Sequence, residues 1–224
     1  AHSFMAEFDN KPISYYADFT CFSFQAIKHF TCGDGGALIA KNNEDFYKAK
    51  KLKWFGYDRE ASKDQNGNWK AQQEEADILE EDVGYKFNMN NISASVGLSN
   101  LTKINEVVNQ HIRNAETYSE YFRGNKKIQL LKKISNSKPV YWVYTLLLSP
   151  EFDRDDVILK LKKYGISSGP VHIPNDEYAC FKRFQTSLPG VREFSKRQLN
   201  LPCGWWLNKK DINFIMNVKE DEPD

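Results

Sequence analysis

Cysteine is scarce in this sequence, net charge is nearly absent, and no apolar run is long. Only four cysteines occur in 224 residues: Cys21, Cys32, Cys180 and Cys203. None forms a CxxC pair or a Cys/His spacing suited to zinc, and their low density argues against a disulfide framework, so reduced thiols and no metal are expected. The 31 Lys+Arg balance the 30 Asp+Glu to a net charge of +1. That removes the electrostatic ground for a nucleic-acid or anionic-membrane partner. No stretch approaches the ~20 apolar residues of a membrane-spanning helix, and no basic start followed by an apolar stretch marks a secretory signal. A cytoplasmic protein with no nucleic acid, membrane or metal partner is therefore expected. What is present is a globular composition, 41% hydrophobic and 27% charged, with enough chain to bury a core in one large or two small domains.

The hydrophobic pattern predicts an α/β chain. Phe19 to Phe24, aromatic and β-branched, reads as a buried strand, and Ala37 to Ala40 after Gly35-Gly36 as a second. A helix is expected after Asn42 or Asn43, with Glu44 and Asp45 in its first turn, running toward Trp54 and ending near Gly56. The polar stretch 57 to 81 reads as a long loop. Ile92, Val96, Leu101, Ile104, Val108, Ile112, Ala115 and Tyr118 then draw one apolar stripe along a single long helix that ends near Gly124. Beyond it, strand candidates fall at Ile128–Leu131 and Val140–Leu148, an amphipathic helix at Asp153–Tyr164 closed by Gly165, and an extended stretch at Ile166–His172. Short helical segments follow, the last at about Lys209–Val218, before an acidic tail. The break at Gly124 divides the chain into 1–124 and 125–224. The opening residues, Ala1-His2-Ser3, read as a cut from a longer chain.

The chemistry concentrates between Phe22 and Gly36. Lys28 follows an aromatic strand and precedes a glycine-rich turn. Burial there would disfavour its ammonium form, and a neutral amine can form a Schiff base with an aldehyde. Ser23 is placed to donate to a phosphate at the strand end, and Gly33, Gly35 and Gly36 would allow close backbone approach. The same spacing also fits a solvent-facing lysine beside a glycine turn. Of the other candidates, His111 is expected to be exposed on its helix, Trp205-Trp206 to pack in the core or between domains, and the lysines before Trp54 to form a solvated helix face. His172 fits a substrate contact and a strand-end histidine equally well.

Ser23-Phe24-x-x-x-Lys28-His29-x-Thr31-x-Gly33-Asp34-Gly35-Gly36 resembles the lysine motif of the DegT/DnrJ/StrS family of pyridoxal-phosphate (PLP) dependent nucleotide-sugar aminotransferases. The resemblance implies that Lys28 binds PLP as a Schiff base and carries protons, and that Ser23 contacts its phosphate. His2 matches the family residue beside the ring hydroxyl; the acidic residue that pairs the pyridine nitrogen would fall two positions before Ala1. Gly84 to Leu98 resembles a family segment that reaches the neighbouring subunit's active site, with Lys86 offering a cation for phosphate where many members have Asn. The 165–207 region resembles the family's C-terminal domain, with His172 a candidate substrate contact. Asn175-Asp176-Glu177 stands where the common form carries a second histidine. The resemblance spans essentially the whole sequence but only the rear of the family's usual chain.

It implies the rear part of a fold-type-I large domain, with an incomplete mixed sheet, over 1–124 and a small α+β domain over 125–224. It further implies a homodimer, glutamate as amino donor and a nucleotide-linked keto-sugar as acceptor. Two other classes stay open: a binding or regulatory module without catalysis, and a PLP-dependent sugar 3-dehydratase, although the dehydratases carry His at the position of Lys28.

Overall fold

The computed structural model describes residues 1–59, 61–69 and 83–218, and the chain forms two compact units, Ala1–Ile104 and Asn105 onward. Most of the stretch expected as a long loop, and the acidic tail, lie outside the described residues.

In the first unit, β1 (Glu7–Phe8) and β2 (Lys11–Pro12) form a short antiparallel ribbon. A 3₁₀ turn (Ile13–Tyr16) leads into β3 (Phe19–Ser23). β3 pairs antiparallel with β4 (Gly36–Ala40), Phe19 opposite Ala40 and Ser23 opposite Gly36. Both strands fall where the sequence placed them, but the first is not buried: Phe19 on β3 and Leu38 and Ile39 on β4 are exposed, and only Thr20 of β3 is buried. A two-stranded ribbon cannot enclose both faces of a strand. α1 (Asn43–Leu52) starts at Asn42, whose side chain accepts from the Asp45 N–H, and carries Glu44 and Asp45 in its first turn.

The single long helix expected over the 92–118 stripe is two. α2 (Asn91–Leu101) stops at Thr102-Lys103, and α3 (Ile104–Tyr121) begins directly after. The apolar side chains of α2 do not continue the buried stripe: Ile92, Val96, Leu98 and Leu101 are exposed, and the buried position is Gly97.

The second unit is built on α3. Val108, His111, Ala115, Tyr118 and Phe122 recur at steps of three and four and are all buried, the signature of a helix facing a core. The unit therefore divides from the first near the start of α3, and Gly124, with φ of 76°, follows the helix's last turn. β5 (Ile128–Leu130) and the two-residue β6 (Ser137–Lys138) precede β7 (Tyr144–Leu148). After α4 (Arg154–Lys163), two 3₁₀ turns (Asn175–Glu177 and Ala179–Phe184) and α5 (Pro189–Arg197), the chain forms β8 (Gln198–Leu201) and α6 (Lys209–Met216). β7 is the centre of an antiparallel β5-β7-β8 sheet, with Ile128 opposite Leu148 and Tyr144 opposite Leu201. β8 follows a helix directly and was not legible as a strand. Tyr144, Leu146, Leu148, Leu199 and Leu201 join Tyr118, Ile212 and Ile215 in one apolar cluster. Each fully buried Leu or Ile there contributes about 1.5–3 kcal/mol.

Two expectations reverse in this unit. His111 is buried, not exposed: it lies on the α3 stripe, its Nδ1 is 2.9 Å from the Tyr141 carbonyl, and its own carbonyl accepts from the Cys203 thiol. Burial pushes that thiol up to about 12. Trp205 and Trp206 are exposed, not packed in a core; the Trp206 ring lies against Gly204, where a Cβ would come within 2.2 Å of it. Among the described residues, no helix is long and apolar enough to cross a membrane, and no group of three or more His, Cys, Asp or Glu is placed to hold a metal ion. All four cysteines are free thiols.

Candidate active site

The site grows from the end of β3. The strand's apolar exit residues, Phe22 and Phe24, meet Phe4 edge-on at 5.4 and 5.5 Å, while Phe30 stacks on Phe4 at 5.1 Å and meets Phe24 edge-on at 4.6 Å. Such pairs contribute about 0.5–1.5 kcal/mol each beyond the area they bury. This cluster ties the segment before β1 to both ends of the 25–29 turn. The Phe24 carbonyl accepts from the Cys32 N–H at 2.9 Å and the Thr31 hydroxyl at 3.2 Å, while Thr31 Oγ1 accepts from the Gly33 N–H at 2.9 Å. From the other side the Asn100 amide donates to the Thr31 carbonyl at 2.9 Å. Gly97 lets α2 approach Cys32 closely, since a Cβ there would lie 3.2 Å from the Cys32 Cβ.

Within this frame, the Lys28 N–H closes a turn onto the Gln25 carbonyl at 2.9 Å. The Ser23 N–H donates to the Ala1 carbonyl at 3.1 Å, which lays the first residues beside the end of β3. The consequence is a contact between residues 26 positions apart: Lys28 Nζ lies 2.6 Å from His2 Nε2. Burial lowers the Lys28 pKa from its ordinary 10.5. His29 is also held below its usual value, chiefly by burial; its Nε2–H bond to the Phe4 carbonyl opposes the shift and the Lys28 charge adds to it. Ser23 Oγ accepts weakly from the Gln25 N–H at 3.4 Å, which leaves its O–H to donate. Gly36 passes so close to β3 that a Cβ would sit 2.5 Å from the Phe22 carbonyl oxygen, and a Cβ on Gly35 would meet Cys32 Sγ at 2.7 Å. The glycines of the motif are thus required by space at 35 and 36 and by a φ of 83° at 33.

The structure brings His2, Ser23 and Lys28 together at the end of β3. Lys86 sits in a different cluster: its Nζ is 3.5 Å from the centre of the Trp54 ring, and the two residues pair as an isolated antiparallel bridge. The segment 85–87 is held along the end of α1 by Tyr85 N–H to Leu52 O at 2.7 Å and Phe87 N–H to Lys53 O at 2.9 Å. Gly84 makes this approach possible, since a Cβ there would overlap the backbone at Phe55-Gly56. His172 belongs to the second unit and is exposed; its backbone carbonyl accepts from the Gln198 side chain at 2.9 Å. Arg59 over the Trp54 ring, at 4.3 Å, was not singled out from the sequence. No spacing signals it, because the loop that carries it folds back through Trp69.

At the end of β3 a partly buried lysine with a depressed pKa thus touches an imidazole, beside a serine and close-packed glycines. The chain belongs to the DegT/DnrJ/EryC1/StrS aminotransferase family, whose sequence pattern matches residues 1–218. A UDP-4-amino-4,6-dideoxy-N-acetyl-beta-L-altrosamine transaminase from Campylobacter jejuni is 25% identical over 222 residues, covering 97% of this chain and 56% of that protein. The crystal structure of the sugar aminotransferase CalS13 from Micromonospora echinospora superposes with a TM-score of 0.83 at 27% identity, covering 96% of this chain and 55% of that one. A putative sugar aminotransferase, Spr1654 from Streptococcus pneumoniae in its PLP-form, superposes with a TM-score of 0.81 at 25% identity over 96% of this chain and 54% of that one. The chain thus spans little more than half the length of the relatives it matches.

Proposed function

We propose that this chain carries the lysine-bearing part of a PLP-dependent aminotransferase that converts a nucleotide-linked keto-sugar to an amino-sugar with glutamate as donor. The observation that supports it is the 2.6 Å contact between Lys28 and His2 at the end of β3. In this reading residues 1–124 belong to the PLP-binding large domain and 125–224 to a small C-terminal domain, and the working enzyme is a cytoplasmic homodimer.

The residues present fit the cofactor. Lys28 supplies the amine, Ser23 a hydroxyl for a phosphate, His2 a ring nitrogen beside the reacting amine, and the glycine turn room for close approach. PLP, when bound, supplies the electron sink that stabilises charge at the donor's α-carbon. The work of this chain is proton handling. Lys28 is nucleophilic only as the neutral amine, and burial raises that fraction at a given pH. His2 can accept a hydrogen bond from the Lys28 ammonium, or donate one to its neutral form, without a change in position. With its amine free, Lys28 can take a proton from a carbon of the bound amino acid and return it to a neighbouring atom. Lys86 offers a point charge to a phosphate, and His172 a polar contact for the sugar.

The test is incubation of the chain with PLP, glutamate and a nucleotide-4-keto-sugar, with 2-oxoglutarate and the sugar product followed by mass spectrometry and Lys28→Ala as control. Aminated sugar with stoichiometric 2-oxoglutarate, lost in the variant, supports the reading. Deoxygenated sugar in its place would assign a dehydratase. Stable binding of a partner with no Lys28-dependent chemistry would assign a regulatory module.

A further inference from the structure

Two neighbouring side chains grip the opening segment of the first unit. Lys28 Nζ lies 2.6 Å from His2 Nε2, and His29 Nε2 lies 3.1 Å from the Phe4 carbonyl oxygen. A carbonyl can only accept, so His29 carries its proton on Nε2 and donates. The His29 ring is buried, and burial holds its pKa below the usual 6.5, with the Lys28 charge adding to the shift. It therefore stays neutral at pH 7, in the form that this bond needs. The Ser23 N–H adds a third tie, to the Ala1 carbonyl.

The ties do different work. The Phe4 ring is located by its contacts with Phe22, Phe24 and Phe30. Ring contacts tolerate a range of separations and angles, so they place the ring without fixing the backbone beside it. A hydrogen bond to the Phe4 carbonyl is directional and fixes that peptide plane, two residues from His2. Beyond Phe4 the chain turns at once: the Ala6 N–H closes onto the Ser3 carbonyl at 2.8 Å, with Met5 at a φ of 68°. A non-glycine residue keeps this left-handed backbone only where the structure around it holds it there, and the His29 bond holds the residue just before it.

We infer that His29 is a positioning residue: by fixing the Phe4 carbonyl it holds His2 against the Lys28 amine. The inference rests on the reading of Lys28 as the reacting lysine and adds the residue that sets its surroundings. His29 acts through the backbone at Phe4. Without that tie the segment carrying His2 would swing away, and Lys28 would gain solvent and return toward its ammonium form at neutral pH.

The test is labelling of this chain with acetic anhydride across about pH 6 to 11, with peptide mapping, in the parent and in His29→Gln, His29→Asn and His29→Leu. Glutamine offers an Nε2–H at a similar reach, asparagine is a methylene shorter, and leucine has no donor. In the parent and in His29→Gln the Lys28 labelling midpoint is expected to lie below those of exposed Lys103 and Lys162. In His29→Asn and His29→Leu it should rise toward theirs, and each unit of rise lowers the reactive fraction of Lys28 at pH 7 about tenfold. His2→Ala should shift the midpoint as far as His29→Leu does, and the double variant no further, because both remove one contact. Thermal melting separates this from a merely structural role, in which stability falls and the midpoint stays. Unchanged midpoints in His29→Asn and His29→Leu, an equal shift in His29→Gln, or additive shifts in the double variant would overturn the inference. Should neither loss variant fold, the ring nitrogen shifts of His29 in the parent decide: an Nε2–H tautomer supports the role, and an Nδ1–H tautomer or an imidazolium at pH 7 overturns it. Anhydride labelling needs no cofactor. Midpoints that move as expected in a chain whose Lys28 takes no PLP would sink the aminotransferase reading alone. PLP capture at Lys28 in the parent, with capture and midpoint unaltered by all three His29 substitutions, would sink the positioning role alone.

Discussion

Replacing Gly36 by alanine adds one methyl group where the β3–β4 ribbon leaves no room for it. The added Cβ would sit 2.5 Å from the Phe22 carbonyl oxygen and 3.9 Å from the Ser23 Cα. The obstacle is strand backbone, not the end of a flexible side chain, so relief requires the two strands to part at the Ser23–Gly36 pair. Overpacking of this kind costs about 1–3 kcal/mol. For a unit of this size that lowers the melting temperature by roughly 4 °C or more. The displacement falls on Ser23 and on the Phe24 N–H to Gly35 carbonyl bond, 2.8 Å in the native chain, which together fix the turn that presents Lys28. Gly190→Ala is the matched control: it lies in α5, and its Cβ would meet nothing within 4 Å, so it should be neutral or stabilising by up to about 1 kcal/mol. Hydrogen exchange by mass spectrometry over β3 and β4, thermal melting and PLP capture at Lys28 report the two variants side by side. Gly36→Ala should speed exchange in both strands and reduce capture, and Gly190→Ala should do neither. If Gly36→Ala melts within 1 °C of the parent, or about that, and captures PLP equally, the argument from strand spacing fails.

Three further outcomes follow from burial and charge. Leu146, 1% exposed at the centre of the β5-β7-β8 sheet, should cost about 2–5 kcal/mol when cut to alanine, read by urea denaturation of the second unit. His29 is held below its ordinary 6.5, so the unfolded chain binds more protons. The stability this group contributes is therefore complete above about pH 6.5 and is lost as pH falls below it; His29→Gln should flatten that part of the stability profile. The exposed Leu38, Ile39, Phe46, Leu98 and Ile92 of the first unit should make the chain self-associate, and sedimentation showing a stable, monodisperse monomer would contradict this.

The sequence made the strands around Lys28 legible because aromatic and β-branched residues are bounded there by glycine. It did not reveal their exposure, which depends on what lies across the strand and not on the strand's own composition. The α2–α3 break was hidden for a related reason: apolar spacing continues through Thr102-Lys103, although only the α3 part of the stripe is buried. His111 was misread from its polar neighbours, yet its steps of three from Val108 and four to Ala115 place it on the buried stripe. β8 escaped because four residues between helices carry too little periodicity. At the candidate site, Lys28, Ser23 and the glycines were visible as a motif. The resemblance assigned Lys28 and His2 to one cofactor but not to each other, and the contact between them was not foreseen, since a pairing across 26 positions leaves no local trace. The stacking of Arg59 and Lys86 on Trp54 was not visible at all, because it depends on a loop folding back onto the end of α1.

The central claim is that Lys28 is the amine that captures PLP. Titrating the chain with PLP, reducing with borohydride and mapping the modified peptides tests it directly, with Lys28→Ala alongside. The account predicts a pyridoxyl adduct on Lys28 at PLP concentrations that leave surface lysines unmodified, and its loss in the variant. Labelling of Lys28 no greater than that of exposed lysines such as Lys103 and Lys162 would contradict it.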